Sequence, residues 1–191
     1  MTDILITILV IGALSSAWVL LYDSNRFVVR SHAVADRRIK KRCRAVLLTD
    51  LHNKSYGKEN GKLLSAIRGQ QPDFVLIAGD LLTANTKMPL EPVLGLLREL
   101  ARDYPVYYAY GNHEQRMKTA VWIYGDMAAR YEAGLKEAGI APLVNSHIRL
   151  PEYGIALYGS EIDREYYKKF QIGEMEPDYL TGLLGKAPED A

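Results

Sequence analysis

The pattern of hydrophobic and polar positions predicts an uncharged N-terminal helix, followed by alternating short strands and helices. Residues 4–22 carry no charged side chain and are mostly aliphatic. Beyond them, short apolar runs predict strands at residues 45–49, 74–78, 106–110, 142–150 and 153–158. Apolar side chains recur at helical spacing in residues 57–68, 89–102 and 116–138. Because strands and helices alternate, we expect an α/β layer structure built on parallel strand pairs.

The N-terminal stretch has the length of a membrane span. At about 1.5 Å per residue, residues 4–22 just cross a hydrocarbon core of about 30 Å. Trp18 and Tyr22 stand toward one end, where amphipathic rings favour the membrane interface. A cleaved signal peptide is the alternative, but its first segment normally carries Lys or Arg, and none precedes Arg26. We therefore expect a transmembrane anchor over residues 1–22 and a single-pass membrane location.

Charge divides the rest of the chain into two segments. Residues 23–44 carry eight basic and two acidic groups, although the whole chain has a net charge of only +1. Positive charge beside a membrane helix tends to stay in the cytoplasm, so this basic linker predicts a cytoplasmic domain over residues 45–191. A linker whose charges are merely solvated is the alternative. The balanced total charge gives no reason to expect a specific nucleic-acid partner. A single cysteine, Cys43, excludes an internal disulfide and a multi-cysteine zinc site.

Chemically useful side chains follow each of the first three predicted strands. Asp50 and His52 follow the first strand, Asp80 follows the second, and Asn112 and His113 follow the third. Ligands of open α/β sheets collect beyond the carboxyl ends of the strands, so we expect these five side chains at one sheet edge. In an extended Asp-x-His segment the two side chains share a face and can converge. Oxygen and nitrogen ligands without a thiolate suit Mn²⁺, Fe or Zn²⁺.

These strand-end motifs carry a resemblance to a known family. Asp50-Leu51-His52, Gly79-Asp80 and Gly111-Asn112-His113-Glu114 resemble the first three motifs of the calcineurin-like metallophosphoesterases, in particular a membrane-anchored bacterial branch. The resemblance covers residues 44–158. It implies two packed mixed β-sheets flanked by helices, in a four-layer sandwich. It also implies a hydrolase that cleaves phosphomonoesters or phosphodiesters with two divalent cations, Mn²⁺ foremost. With the expected anchor, a lipid-linked phosphate ester is a candidate substrate.

The resemblance also assigns roles by position. Asp50 and His52 would bind the first metal, Asp80 would bridge both metals, and Asn112 would bind the second. His113 would be the catalytic residue, either contacting a phosphoryl oxygen or protonating the leaving group. Water activated by the cations would attack phosphorus in line, and the cations would neutralise the developing charge.

Other positions depart from the family pattern or leave alternatives open. Only four histidines are present, and no Gly-His-x-His follows the third motif. We interpret His147 as structural and His32 as solvated. Thr83 stands where many members carry a further Asp, and Glu114 either orients His113 or is solvated. Two hypotheses follow: a C-terminally incomplete phosphoesterase domain, which we favour and which could itself be inactive, or a non-catalytic interaction module on the same fold.

Overall fold

A computed structural model describes residues 2–167 and 174–186 and divides the chain into two compact units between Ala33 and Val34. The first unit contains helix α1 (Thr2–Ser24). Over the described residues, no helix has both the length and the apolar character that crossing a membrane requires. The prediction of a single-pass membrane location is therefore wrong. It was based on the length and the uncharged, mostly aliphatic composition of residues 4–22.

The second unit is organised around a parallel sheet. Strands β1 (Ala45–Leu48), β2 (Phe74–Ala78) and β3 (Val106–Ala109) lie side by side in that order. Both strand pairs are parallel. The central strand is the most buried of the three, with Phe74 and Val75, which lie on opposite faces of the sheet, almost fully enclosed. This burial on both faces is typical of parallel sheets covered by helices, so the predicted parallel arrangement is confirmed.

Helices follow the strands as the hydrophobic periodicity predicts. Their bounds are α2 Gly61–Gln70, α3 Glu91–Asp103, α4 Asn112–Thr119, α5 Val121–Tyr124, α6 Met127–Glu137 and α7 Tyr179–Leu184, with 3₁₀ turns at Lys58–Asn60 and Arg164–Tyr167. Helix α3 shows why they form: its buried stripe includes Val93, Leu97 and Leu100, which recur at helical spacing. Burial of each such side chain stabilises the fold by about 1.5–3 kcal/mol.

A second sheet consists of an antiparallel hairpin. Strands β4 (Ser146–Leu150) and β5 (Ile155–Gly159) pair with each other. An isolated parallel bridge from Ala109 to Leu143 continues the edge of the first sheet just before β4. The chain is therefore an α/β protein with a parallel three-stranded sheet and a second sheet flanked by helices, which confirms the predicted fold class.

The region predicted as one helix over residues 116–138 is three helices. The first interruption is at Ala120, whose φ of −117° and ψ of 54° are not helical, and the second is at Gly125, with a φ of 56°. The first of these helices also begins earlier than predicted, at Asn112. Asn112 and His113 therefore lie in the first turn of α4, where backbone geometry holds them more firmly than a loop would.

The C-terminal part of the predicted basic linker, from Val34 onward, belongs to the second unit. The Lys40 amide donates a hydrogen bond to the Tyr153 carbonyl at 2.9 Å, and the Arg44 amide donates to the Asp73 carboxylate at 2.7 Å. The residues just before β1 are thus held against the turn between β4 and β5 and against the residue that precedes β2. The domain boundaries expected at residues 22 and 44 stay predictions.

Candidate metal centre

The loop after β1 places Asp50 and His52 together through left-handed backbone geometry. Their φ angles are 55° and 47°, so the segment is not extended, and the extended Asp-x-His geometry expected from the sequence is wrong. The side chains converge nevertheless, because this tight turn leaves His52 Nε2 3.6 Å from Asp50 Oδ1. The His52 amide donates to the Asp80 carbonyl at 3.0 Å, which fixes the loop beside the end of β2.

Two glycines allow the ends of β2 and β3 to approach each other. Gly79 has a φ of 75°, and a Cβ there would overlap the backbone nitrogen and Cα of Gly111. A Cβ at Gly111 would in turn overlap the Asp80 carboxylate and amide. The two glycines of the Gly-Asp and Gly-Asn-His motifs are therefore required by close packing, which brings the first turn of α4 onto Asp80.

The Asp80 carboxylate is the buried centre of the site. Only 7% of Asp80 is exposed. Its Oδ1 accepts a hydrogen bond from the His113 amide at 2.9 Å, and its Oδ2 accepts one from Asn112 Nδ2 at 3.1 Å. Among the described residues, no Lys, Arg or His side chain lies within ion-pair distance of it. A buried charge without a counter-charge is costly, so this carboxylate suits a bound cation.

Two imidazoles complete a cluster with the geometry of a metal site. One potential ligand atom each from His52, Asp80 and His113 lies within 4.8 Å of the other two. The two imidazole rings meet edge to face, with centroids 5.0 Å apart. Carboxylate oxygen and imidazole nitrogen are the donor set of Mn²⁺, Fe and Zn²⁺ sites, so Asp80 and His52 fit as ligands of the divalent metal that the sequence predicts, with His113 beside them.

The other hydrogen bond of His113 determines what its ring can do. Its Nδ1 accepts from the Ala84 amide at 2.9 Å, so the neutral ring carries its proton on Nε2. Burial lowers the pKa of His113 below its ordinary value. The nearby charges of Arg116 and His52 act in the same direction, and Asp80 opposes them. A neutral imidazole with an Nε2–H group can donate a hydrogen bond to an oxygen atom, whereas that nitrogen has no lone pair for a metal.

Glu114 is an important residue whose role the sequence left open. It is 1% exposed, not solvated. Its Oε2 accepts from the amides of Asp80 and Gly111 at 2.9 and 3.0 Å, and its Oε1 accepts from the Leu81 amide and the Tyr108 hydroxyl at 3.2 and 2.8 Å. Burial raises the pKa of the Glu114 carboxyl, and these hydrogen bonds oppose that effect. Glu114 therefore ties the ends of β2 and β3 together beneath Asp80.

A spacing signal for this role is present in the sequence. Glu114 is the third residue after Gly111, which precedes the first residue of α4. A Glu at the third helical position commonly accepts a hydrogen bond from the amide of the residue before the helix, which is the bond seen here. The sequence predicted the start of this helix at residue 116, so the spacing of Gly111 and Glu114 gave no prediction.

The other candidate residues differ in whether they contact the cluster. Asp50 contacts His52 and accepts a hydrogen bond from the Thr49 hydroxyl at 2.6 Å. Asn112 contacts Asp80. His147 lies on the hairpin instead, stacked on Tyr158 with ring centroids 5.0 Å apart, outside the three-residue cluster. The structure thus brings the five predicted site residues to one sheet edge and leaves His147 elsewhere.

Comparison with known proteins places this site in a family. The family model of the calcineurin-like phosphoesterases matches residues 43–176, a stretch that contains β1 to β5 and every residue of the cluster. The chain belongs to the calcineurin-like phosphoesterase family. The strand-end residues of this phosphoesterase that the sequence singles out all lie within the matched range.

Two curated relatives are similar in sequence to part of this phosphoesterase. The Campylobacter jejuni protein named uncharacterized metallophosphoesterase Cj0846 is 38% identical over 88 residues, which are 45% of this chain and 23% of that protein. The Bacillus subtilis protein named uncharacterized metallophosphoesterase YkoQ is 27% identical over 112 residues, 58% of this chain and 39% of that protein. The phosphoesterase chain thus spans less than half of either relative's length. No solved structure matches it.

Proposed function

We propose that the chain is a metal-dependent phosphoesterase that hydrolyses phosphomonoester or phosphodiester bonds with two divalent cations, Mn²⁺ foremost. One observation carries the proposal. The buried Asp80 carboxylate lies beside two imidazoles at the carboxyl ends of parallel strands, without a Lys or Arg side chain within ion-pair distance among the described residues. Cations at this place would supply charge stabilisation for a phosphoryl group and activate water for attack on phosphorus.

The contacts of Asp80 support its role as the bridging ligand. Asp50 and His52 would hold one cation on the β1 side of Asp80, and Asn112 would hold the other on the α4 side. Asn112 Nδ2 already donates to Asp80, so the carboxamide oxygen is the group left for a metal. Each Asp80 oxygen accepts one hydrogen bond and keeps a lone pair for a cation.

The tautomer of His113 favours one of the two roles that the resemblance allows. Because Nδ1 accepts from the Ala84 amide, His113 is the Nε2–H donor to a phosphoryl oxygen in this proposal. Protonating a leaving group would need either an imidazolium, which loses the Ala84 bond, or transfer of a proton from a neutral ring. We therefore assign His113 to charge stabilisation of the phosphoryl group and not to general acid catalysis.

Lipid-linked phosphate esters are a candidate substrate within this class. Val121, Trp122 and Ile123 follow directly after α4 and are more than half exposed, Trp122 by 78%. An apolar leaving group could lie against them while its phosphate reaches Asn112. Trp122→Ala should then raise KM for a lipid phosphate and leave KM for p-nitrophenyl phosphate unchanged. An unchanged KM for the lipid phosphate in Trp122→Ala would contradict the lipid assignment.

Titration of the 191-residue chain with Mn²⁺ in a calorimeter tests the proposal, alongside hydrolysis of p-nitrophenyl and bis-p-nitrophenyl phosphate. We expect Mn²⁺ binding that Asp80→Asn weakens at least tenfold, because the central carboxylate is lost. Asp126→Asn, which changes an exposed aspartate before α6, is the matched control and should bind Mn²⁺ as the wild type does. Wild-type affinity in Asp80→Asn would contradict the proposed metal centre. No Mn²⁺ binding by the wild type would favour the non-catalytic module.

A further inference from the structure

A cavity of about 420 Å³ opens beside the metal centre, between α4 and the 3₁₀ turn Arg164–Tyr167. Asn112 lines one side of it, and Arg116 and Arg164 line it further along. Since Asn112 also contacts Asp80, the cavity begins where the proposed second cation would be held. Its volume is within the range of small-molecule sites.

Specific contacts hold the two walls of this cavity in place. Gln115 Nε2, on α4, donates to the Ile162 carbonyl at 2.8 Å. Lys118 Nζ, one turn further along α4, pairs with the Glu161 carboxylate at 2.8 Å, and both of these side chains are at most one-third exposed. The segment that leads to Arg164 is thus anchored to the same helix that carries Asn112 and Arg116.

The two arginines of the cavity are charged groups without acidic partners. Among the described residues, neither guanidinium lies within ion-pair distance of a carboxylate, whereas Arg68, Arg98 and Arg102 each pair with at least one. Glu165 also lines the cavity and contributes one opposing charge. The ionisable side chains that line the cavity therefore leave a net positive charge next to the site that handles a phosphoryl group.

We propose that this cavity binds a second anionic group of the substrate, so that the phosphoesterase acts on diphosphates or bisphosphates. This inference rests on the proposed function of the metal centre. Asn112 and Arg116 are four residues apart on α4 and so share one face, with Cβ atoms about 5–6 Å apart. A phosphoryl group at Asn112 would place a neighbouring phosphate within reach of Arg116. Guanidinium groups bind phosphate through paired hydrogen bonds, and Arg164 faces the same space from the opposite wall.

Equilibrium binding of pyrophosphate and of orthophosphate to the full chain tests the inference. Calorimetric titrations are made once without metal and once with Mn²⁺ kept in excess over the anion. We expect pyrophosphate to bind at least tenfold more tightly than orthophosphate in both conditions. Arg116→Gln and Arg164→Gln should each weaken pyrophosphate binding roughly tenfold, about 1.4 kcal/mol. Both variants should change orthophosphate binding in the presence of Mn²⁺ less than twofold, because that anion needs only the metal centre.

The control is Arg130→Gln, which removes an exposed arginine of α6 that does not line the cavity. Equal affinity for the two anions, or the same loss of pyrophosphate binding in Arg130→Gln, would overturn the inference. A failure of the metal centre looks different, since the wild type would then neither bind Mn²⁺ nor hydrolyse bis-p-nitrophenyl phosphate. A failure of the cavity alone leaves both of these activities intact and removes only the preference for pyrophosphate.

Discussion

The two carboxylate oxygens of Glu114 accept four hydrogen bonds, and Glu114→Gln replaces one of these oxygens by an NH₂ group. In the less costly orientation the NH₂ group takes the place of Oε1, where the Tyr108 hydroxyl can rotate to accept a hydrogen bond from it. The Leu81 amide then loses its acceptor, which costs about 1–3 kcal/mol. The bonds from Asp80 and Gly111 lose their charge assistance, about 1 kcal/mol each. Removing a buried charge offsets part of this loss.

The net expectation for Glu114→Gln is a destabilisation of about 2 kcal/mol. At an m value of about 2 kcal/mol/M, the urea midpoint of the metal-free protein should fall by roughly 1 M. Mn²⁺ affinity should fall as well, because Glu114 holds the backbone on which Asp80 is mounted. Glu132→Gln, on an exposed face of α6, is the control and should shift stability by less than about 0.5 kcal/mol. A shift that small in Glu114→Gln would show that the four bonds do not support the fold as described.

Two further predictions concern close packing and pH. Gly111→Ala should abolish Mn²⁺ binding by calorimetry, since its Cβ overlaps Asp80; Gly69→Ala, which has open space around it in α2, should preserve binding. The hydrogen bond from the Arg68 guanidinium lowers the pKa of the Asp103 carboxyl below its usual value of 3.8. The stabilisation that this pair provides is therefore present above about pH 4, and it is lost as the pH falls through the lowered pKa. Urea midpoints of Asp103→Asn should therefore depend less on pH below pH 4 than those of the wild type. An unchanged pH dependence would contradict this assignment.

The sheet could be predicted closely because its strands are short apolar runs between polar turns. The predicted strand at residues 74–78 coincides with β2, and the predicted strand at 45–49 exceeds β1 by one residue. The positions of Asp50, Asp80 and Asn112 followed from the same pattern, since parallel strands end at one edge. The apolar pattern therefore located the site, whereas the roles of its residues came from the family resemblance.

The parts that could not be predicted depend on contacts between distant residues. The Nδ1 bond that sets the tautomer of His113 comes from Ala84, 29 residues earlier, and no local pattern indicates it. The burial of Glu114 depends on Tyr108 and on amides after β2. The break at Ala120 was missed because apolar spacing continues across it at Val121 and Ile123. The membrane location was wrong because the length and the uncharged, aliphatic composition of residues 4–22 were treated as sufficient, whereas no helix over the described residues meets both requirements for a membrane span.

The left-handed backbone of the site has a consequence for attempts to improve the protein. Asp50, His52, Asn53 and Asp80 all have φ angles between 47° and 62°, a conformation that side chains other than Gly, Asn and Asp adopt at a cost. A screen that rewards heat resistance alone should therefore enrich Gly or Asn at His52 and remove one of the proposed metal ligands. Thermal stability and cation binding are thus in competition at this position. A library meant to keep both properties should hold His52 constant and vary the helices instead.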